Sequence, residues 1–179
     1  MTGKISLSLV QSLDGYVADR NYATEFAEGY PGPNLKDVYS QENPFDMFKF
    51  YQETTIIVMG ARTYRQGYAQ GFPKQDIYVV TDQDPANQGR IHFVKARRIV
   101  KLMLAKKKQG HQIYILGGAM TANLFIKEQA IDRYMIATVP YILGTGRRLF
   151  YPQAQQIPLQ LDQVDVMGGM TLQIYSPRP

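Results

Sequence analysis

The chain has 179 residues, 45% of them apolar and 20% charged, with 20 lysines and arginines against 15 aspartates and glutamates for a net charge of +5. That balance is globular and excludes a disordered or fibrous chain; the surplus of positive charge favours an anionic ligand but also suits a plain solvated surface. With no cysteine, there can be no disulfide framework, thiolate nucleophile or cysteine-ligated metal cluster, and no metal site is expected. The length fits a single domain over residues 1–179. The longest apolar runs are about as long as Ile56-Ile57-Val58-Met59, far short of the roughly 20 residues of a membrane-spanning helix. Lys4 followed by residues 5–10 imitates a signal peptide, but Ser6, Ser8 and Gln11 break it up. The stretch reads as a strand, and no membrane partner and a cytoplasmic location are expected.

In chain order, Ile5, Leu7 and Leu9 alternate with Ser6, Ser8 and Val10, the period of a strand. Asp14-Gly15 marks a turn, and Tyr16-Val17-Ala18 resumes an extended course. Residues 19–43 form a long polar loop punctuated by Gly29, Pro31, Gly32 and Pro33, of a length that marks a binding loop or lid. Glu25, Phe26, Tyr30 and Tyr39 within it offer a carboxylate and stacking faces. Asn43-Pro44 reads as an N-cap and first helical position, with Phe45, Phe48 and Tyr51 at helical spacing behind it. Residues 54–59 form a buried strand ending at Gly60, with a short helix from about Arg62. Strands follow at 77–80 and 91–94, then an amphipathic helix over 97–109 carrying Ile99, Leu102, Met103 and Lys106 on one face and stopped by Gly110. A strand at 113–116 is cut by Gly117-Gly118 and leads into a helix containing Leu124 and Phe125; a further strand covers 133–139. Segments 159–166 and 171–175 flank a turn and form a hairpin. Strands alternating with helices before a terminal hairpin specify an α/β fold, three-layered α/β/α, with a mainly parallel central sheet and a C-terminal antiparallel hairpin.

No serine nucleophile elbow, P-loop or dinucleotide glycine fingerprint is present. His92 and His111 lack carboxylates at ligand spacing. The run Lys106-Lys107-Lys108 falls on the last turn of a helix, where cations suit the helix dipole, and no aromatics interleave with it, so nucleic acid is not expected as a partner. Two segments share one geometry instead: 55–64 and 113–121 each run from a buried strand through glycine into a helix start. Such a junction lets backbone approach a ligand closely and presents helix N–H groups to an anion. Two of them on neighbouring strands would grip a pyrophosphate.

Ser12-Leu13-Asp14-Gly15, Met59-Gly60-Ala61-Arg62-Thr63-Tyr64, Leu116-Gly117-Gly118-Ala119 and the series Ile131-Asp132, Val139-Pro140, Leu143-Gly144-Thr145-Gly146 and Leu149-Phe150 follow in this order across nearly the whole chain. The set resembles the dihydrofolate reductase-like superfamily, nearest to the C-terminal reductase domain of the bifunctional riboflavin-biosynthesis deaminase/reductase and its stand-alone relatives. The resemblance implies an oxidoreductase that binds NADPH, with NADH as the alternative, and reduces 5-amino-6-(5-phosphoribosylamino)uracil or a related heterocycle. It implies that Val10, Val17 and Ala18 line the nicotinamide. Gly60, Arg62 and Thr63 would take the adenosine-side phosphates, Leu116, Gly117, Gly118, Ala119, Met120 and Thr121 the pyrophosphate, and Thr81 the adenosine ribose. Gln11, Asp14, Phe48 and Thr138 would face the substrate, Asp46 is the candidate acid, and a homodimer is expected. Two positions depart from the family pattern: Ala61 stands where an arginine is common, and Asp82 where a hydroxyl or cation would suit a 2′-phosphate. The other readings of the same residues are a non-catalytic nucleotide-binding module on this fold and a dihydrofolate or pterin reductase.

Overall fold

The computed structural model describes residues 2–27, 42–83, 85–167 and 169–178. The strands are β1 (Ile5–Ser12), β2 (Tyr16–Ala18), β3 (Ile56–Gly60), β4 (Asp76–Val80), β5 (Ile91–Val94), β6 (Ile113–Gly117), β7 (Arg133–Val139), β8 (Arg147–Arg148), β9 (Leu159–Met167) and β10 (Met170–Pro177). The helices are α1 (Met47–Glu53), α2 (Ala61–Arg65), α3 (Ala96–Lys108) and α4 (Ala119–Lys127). Eight strands form one sheet in the order β5-β4-β3-β6-β1-β7-β10-β9, parallel except for β10, which runs antiparallel to both its neighbours.

Period-two alternation places this sheet between two helical layers. Ile56 and Val58 of β3 face one way and pack with Ile5, Leu7, Ile115 and the α3 and α4 residues Ile99, Met103, Phe125 and Ile126. Ile57 and Met59 face the other way, into a cluster with Ile77, Val79 and Tyr114 that α1 and α2 cover through Phe50, Tyr51 and Tyr64. Both faces are therefore buried, and the expected three-layer architecture with its terminal hairpin is the one observed.

The structure corrects the expected helix start at Asn43-Pro44. Asp46 is the N-cap of α1, its Oδ1 accepting the Lys49 N–H at 2.9 Å. Residues before it cannot wind into the helix because tertiary bonds hold their backbone: Phe45 N–H donates to Asp165 Oδ2 at 2.6 Å, and the Asn43 carbonyl accepts from Gln163 at 3.0 Å. The short strand β2 forms a second, two-stranded sheet with β8, an element the sequence pattern did not reveal. Of the long loop, Glu25 and Phe26 lie in a single 3-10 turn, whereas Gly29, Tyr30, Pro31, Gly32, Pro33 and Tyr39 lie outside the described residues.

Asn123 on α4 fixes the return of the chain after β8. Its buried amide donates to the carbonyls of Ala119 and Leu149, both at 2.7 Å, while its oxygen accepts the Tyr151 N–H at 3.0 Å. Asn123→Ala leaves these backbone groups without their partner and is expected to cost about 2 kcal/mol of stability. Urea denaturation checks this, and an unchanged midpoint would show that the segment is held by packing alone.

Candidate functional site

Strands β3 and β6 are direct neighbours, so the two strand-glycine-helix junctions meet at the carboxyl edge of the sheet. The register slips between Val58 and Met59, which sets Met59 opposite Gly117. The two turns then interlock: a Cβ on Gly60 would lie 3.0 Å from Thr121 Oγ1, and one on Gly118 would lie 3.9 Å from Thr63 Oγ1. Gly117 has φ +128°, a conformation that favours glycine, and a Cβ there would come within 2.9 Å of the Leu9 side chain of β1, which would have to shift. The first backbone bond of α4 is Ala122 N–H to the Gly118 carbonyl, and no side chain caps the helix. The N–H groups of Ala119, Met120 and Thr121 thus have no intrahelical acceptor and border the junction. Ala119 and Thr121 are buried, whereas the Met120 side chain is exposed. Leu116 packs into the α2-side cluster behind it.

Two strands from β6 towards the sheet edge, Thr81 follows β4; its N–H donates to the Val94 carbonyl and its hydroxyl accepts the Gln83 N–H at 3.2 Å. Beside it, the Lys95 ammonium donates to the Asp82 carbonyl oxygen at 2.6 Å. A cation is thereby anchored beside Asp82, at a residue other than Arg62, Arg97 and Arg98, the cations that the sequence offers for a 2′-phosphate. On the other side, the carboxyl end of β1 carries Val10, half-buried, with Val17 of β2 packed against the core and Ala18 buried. Gln11 and Thr138 are register partners on β1 and β7, their side chains 3.5 Å apart, so these two expected substrate residues are brought together. Phe48 projects from α1 and is 71% exposed, while Phe50 and Tyr51 of the same helix pack inward.

Asp46, the candidate acid, and Asp14, expected at the substrate, are both engaged in holding backbone. Asp46 caps α1. Asp14 Oδ1 accepts from the Ser12 hydroxyl at 2.6 Å and the Leu143 N–H at 3.1 Å, and its Oδ2 accepts the Gly144 N–H at 2.8 Å. The turn after β1 is thereby tied to the loop before β8, and the Ser12 hydroxyl bond, aided by these backbone donors, holds the Asp14 carboxyl below the usual carboxylate range. Of the remaining candidates, Lys107 pairs with Asp132 at 2.6 Å, and His92 stacks on Tyr78 with centroids 4.6 Å apart.

Residues the sequence reading passed over converge beside Arg62. The Arg62 guanidinium carbon lies 3.2 Å from the centroid of the Tyr22 ring, and that of Arg147 lies 4.1 Å from the same centroid. Bonds from Arg62 and the charge of Arg147 pull the Tyr22 hydroxyl below the ordinary range of a phenol. No local signal marks this meeting, since one residue follows β2, one opens α2 and one lies on β8.

A family model described as the RibD C-terminal domain matches residues 3–172. The chain is similar to the uncharacterized protein YwjB of Bacillus subtilis (strain 168), 30% identical over 173 residues that cover 94% of each chain. Among solved structures, its fold is similar to a deaminase/5-amino-6-(5-phosphoribosylamino)uracil reductase from Thermotoga maritima, with TM-score 0.66, 12% identity and coverage of 99% of this chain and 57% of that one. It is also similar to dihydrofolate reductase from Enterococcus faecalis, solved with NADP(H), with TM-score 0.62, 14% identity and coverage of 100% and 99%.

The Asp14 bonds make a pH-dependent prediction. A carboxyl held lower in the folded chain than in the unfolded one adds stability that is present above the unfolded value and lost as pH falls through the folded one. Asp14→Asn is expected to lower the urea midpoint at pH 7, and the gap to the unaltered protein should narrow as pH falls below about 5 and vanish only below the ordinary carboxylate range. A gap that does not vary with pH would show that the charge of Asp14 is not what holds the loop.

Proposed function

The chain belongs to the RibD C-terminal domain family, and on that footing we propose that it is a nicotinamide-dependent reductase that acts on 5-amino-6-(5-phosphoribosylamino)uracil or a related phosphorylated heterocycle. The observation that carries this reading is the meeting of the Gly60 and Gly117-Gly118 turns on adjacent parallel strands, with hydroxyls of Thr63 and Thr121 and unpaired helix N–H groups around them. A diphosphate fits such a place: its oxygens need several donors at once, and side chains in place of these glycines would fill the approach.

In this reading Gly60, Arg62 and Thr63 on one side and residues 117–121 on the other hold the phosphates of NADPH. Thr81 lies towards the adenosine ribose, with the Lys95 ammonium beside it, held on the Asp82 backbone carbonyl. Val10, Val17 and Ala18 form an apolar wall for the nicotinamide, excluding water from the ring. The cofactor supplies a hydride to an electron-poor carbon, and the protein aligns the two partners. Gln11 and Thr138, adjacent on β1 and β7, orient the polar edge of the heterocycle, and Phe48 offers a face from α1. The accompanying proton would be drawn from solvent, because Asp14 and Asp46 are engaged with backbone and hydroxyl donors. Pairing of two copies belongs to the same proposal, and β9, which ends the sheet with Leu161 and Val164 exposed, offers the edge for it.

The engagement of both carboxylates also favours a second reading, a nucleotide-binding module without turnover. Thermal unfolding with NADPH and with NADH, followed by absorbance at 340 nm with pyrimidine and pterin substrates, separates the two. A rise in Tm with either cofactor at sub-millimolar concentration is expected, with cofactor oxidation in the presence of a phosphoribosylated pyrimidine. No shift with either cofactor overturns the reductase reading; a shift without turnover of any substrate favours the binding module.

A further inference from the structure

Tyr22 occupies a backbone conformation that a tyrosine adopts only under constraint, with φ 68°. Asp19 supplies the constraint. Its Oδ1 accepts the N–H groups of Asn21 and Ala23 at 2.7 and 2.8 Å, its N–H donates to the Ala23 carbonyl at 3.0 Å, and its carbonyl accepts the Tyr22 N–H at 3.2 Å. Four bonds over five residues thus fix one ring in one place, an arrangement that persists where surrounding structure over-determines it. The ring so fixed is the one on which Arg62 and Arg147 converge.

The two guanidinium carbons can be no farther apart than the sum of their distances to that ring. Among the described residues neither arginine has a carboxylate at ion-pair distance. Two like charges held close without an acid are unfavourable, and one phenol ring offsets only part of that repulsion through its π face and hydroxyl. What the pair lacks is an anion with more than one charged group, and two guanidinium forks match phosphate oxygens in both geometry and charge. The location supports this. Arg62 is two positions beyond Gly60 in the phosphate-facing turn, and Arg147 is held beside β2 by pairing with Ala18. A Cβ on Gly146 would collide with the Ala18 carbonyl, so β8 lies as close to β2 as backbone allows.

We propose that Tyr22 holds Arg62 and Arg147 together as a two-guanidinium clamp for a diphosphate, which makes Arg147 a ligand-binding residue and Tyr22 its positioning residue. That the diphosphate belongs to a dinucleotide rests on the reductase reading; the clamp itself does not.

The test measures the affinity of the full chain for NADPH and, separately, for inorganic pyrophosphate at fixed ionic strength. Arg147→Ala, an exposed position whose loss leaves the core intact, is expected to weaken both by about tenfold. Tyr22→Ala should match it, while Tyr22→Phe, which keeps the ring, should stay within about threefold of the unaltered protein. Arg148→Ala removes the same charge from the adjacent residue and should change either affinity less than about twofold. The clamp is overturned if pyrophosphate does not bind, if Arg147→Ala has no effect, or if Arg148→Ala costs as much as Arg147→Ala, which would make the effect one of diffuse charge. Pyrophosphate binding with this pattern but no NADPH binding leaves the clamp standing and removes the reductase reading. NADPH binding indifferent to Arg147 does the reverse.

Discussion

The close approach of backbone at Gly60 and Gly117 is the constraint on which the candidate site depends. Parallel strands all deliver their carboxyl ends to one edge, so every turn that follows them crowds the same rim. On β3 and β6 these turns are in contact, with Gly60 against Thr121 and Gly118 against Thr63. A side chain at Gly60 would press on the Thr121 hydroxyl, and one at Gly118 would fill the space towards Thr63. Because the strands are spaced about 4.8 Å apart, fixing this pair also fixes what can lie to either side. Thr81 and Lys95 fall towards β4 and β5, and Val10, Gln11 and Thr138 towards β1 and β7.

A smaller constraint sets the far wall. Asp14 joins the β1 turn to Leu143 and Gly144, and β2 pairs with β8 just beyond. These contacts bring the loop after β7 back over the end of β1, and with it Arg147. Asp19 then turns the chain so that Tyr22 meets both Arg147 and Arg62. The rim at this end is therefore built from three segments remote in sequence, held mostly by side-chain carboxylates accepting backbone N–H groups. Bonds of this kind, to a charged acceptor, are among the stronger ones available at a surface.

The same preference explains why the carboxylates near the cleft serve architecture. Asp14, Asp19 and Asp46 each accept two or more backbone or hydroxyl donors, or cap a helix. Of these, Asp14 is held below the usual carboxylate range by the Ser12 hydroxyl and its backbone donors, which favours its charged form. What the rim offers besides these carboxylates is apolar walls, glycine-lined turns and guanidinium groups, which suit binding and alignment of an anionic ligand.

The sequence by itself determined the elements whose signal is local. The strands at 91–94 and 133–139 match their observed bounds, and the amphipathic helix is displaced by one residue, because hydrophobic period and glycine stops act within a few positions. The two strand-glycine-helix junctions were legible for the same reason, as each is a contiguous run. Only the tertiary structure decided which junctions are neighbours, since strand order depends on pairings between segments as distant as Ile56 and Ile113. It also decided the start of α1, where Asp165 and Gln163 of β9 hold the backbone of Phe45 and Asn43 against a helical pattern. β8 is two arginines long and has no hydrophobic period at all, so only its pairing with β2 makes it a strand. Tyr22, Arg62 and Arg147 carry no shared motif; they meet because three turns converge on one edge of the sheet, a contact that no window of sequence contains.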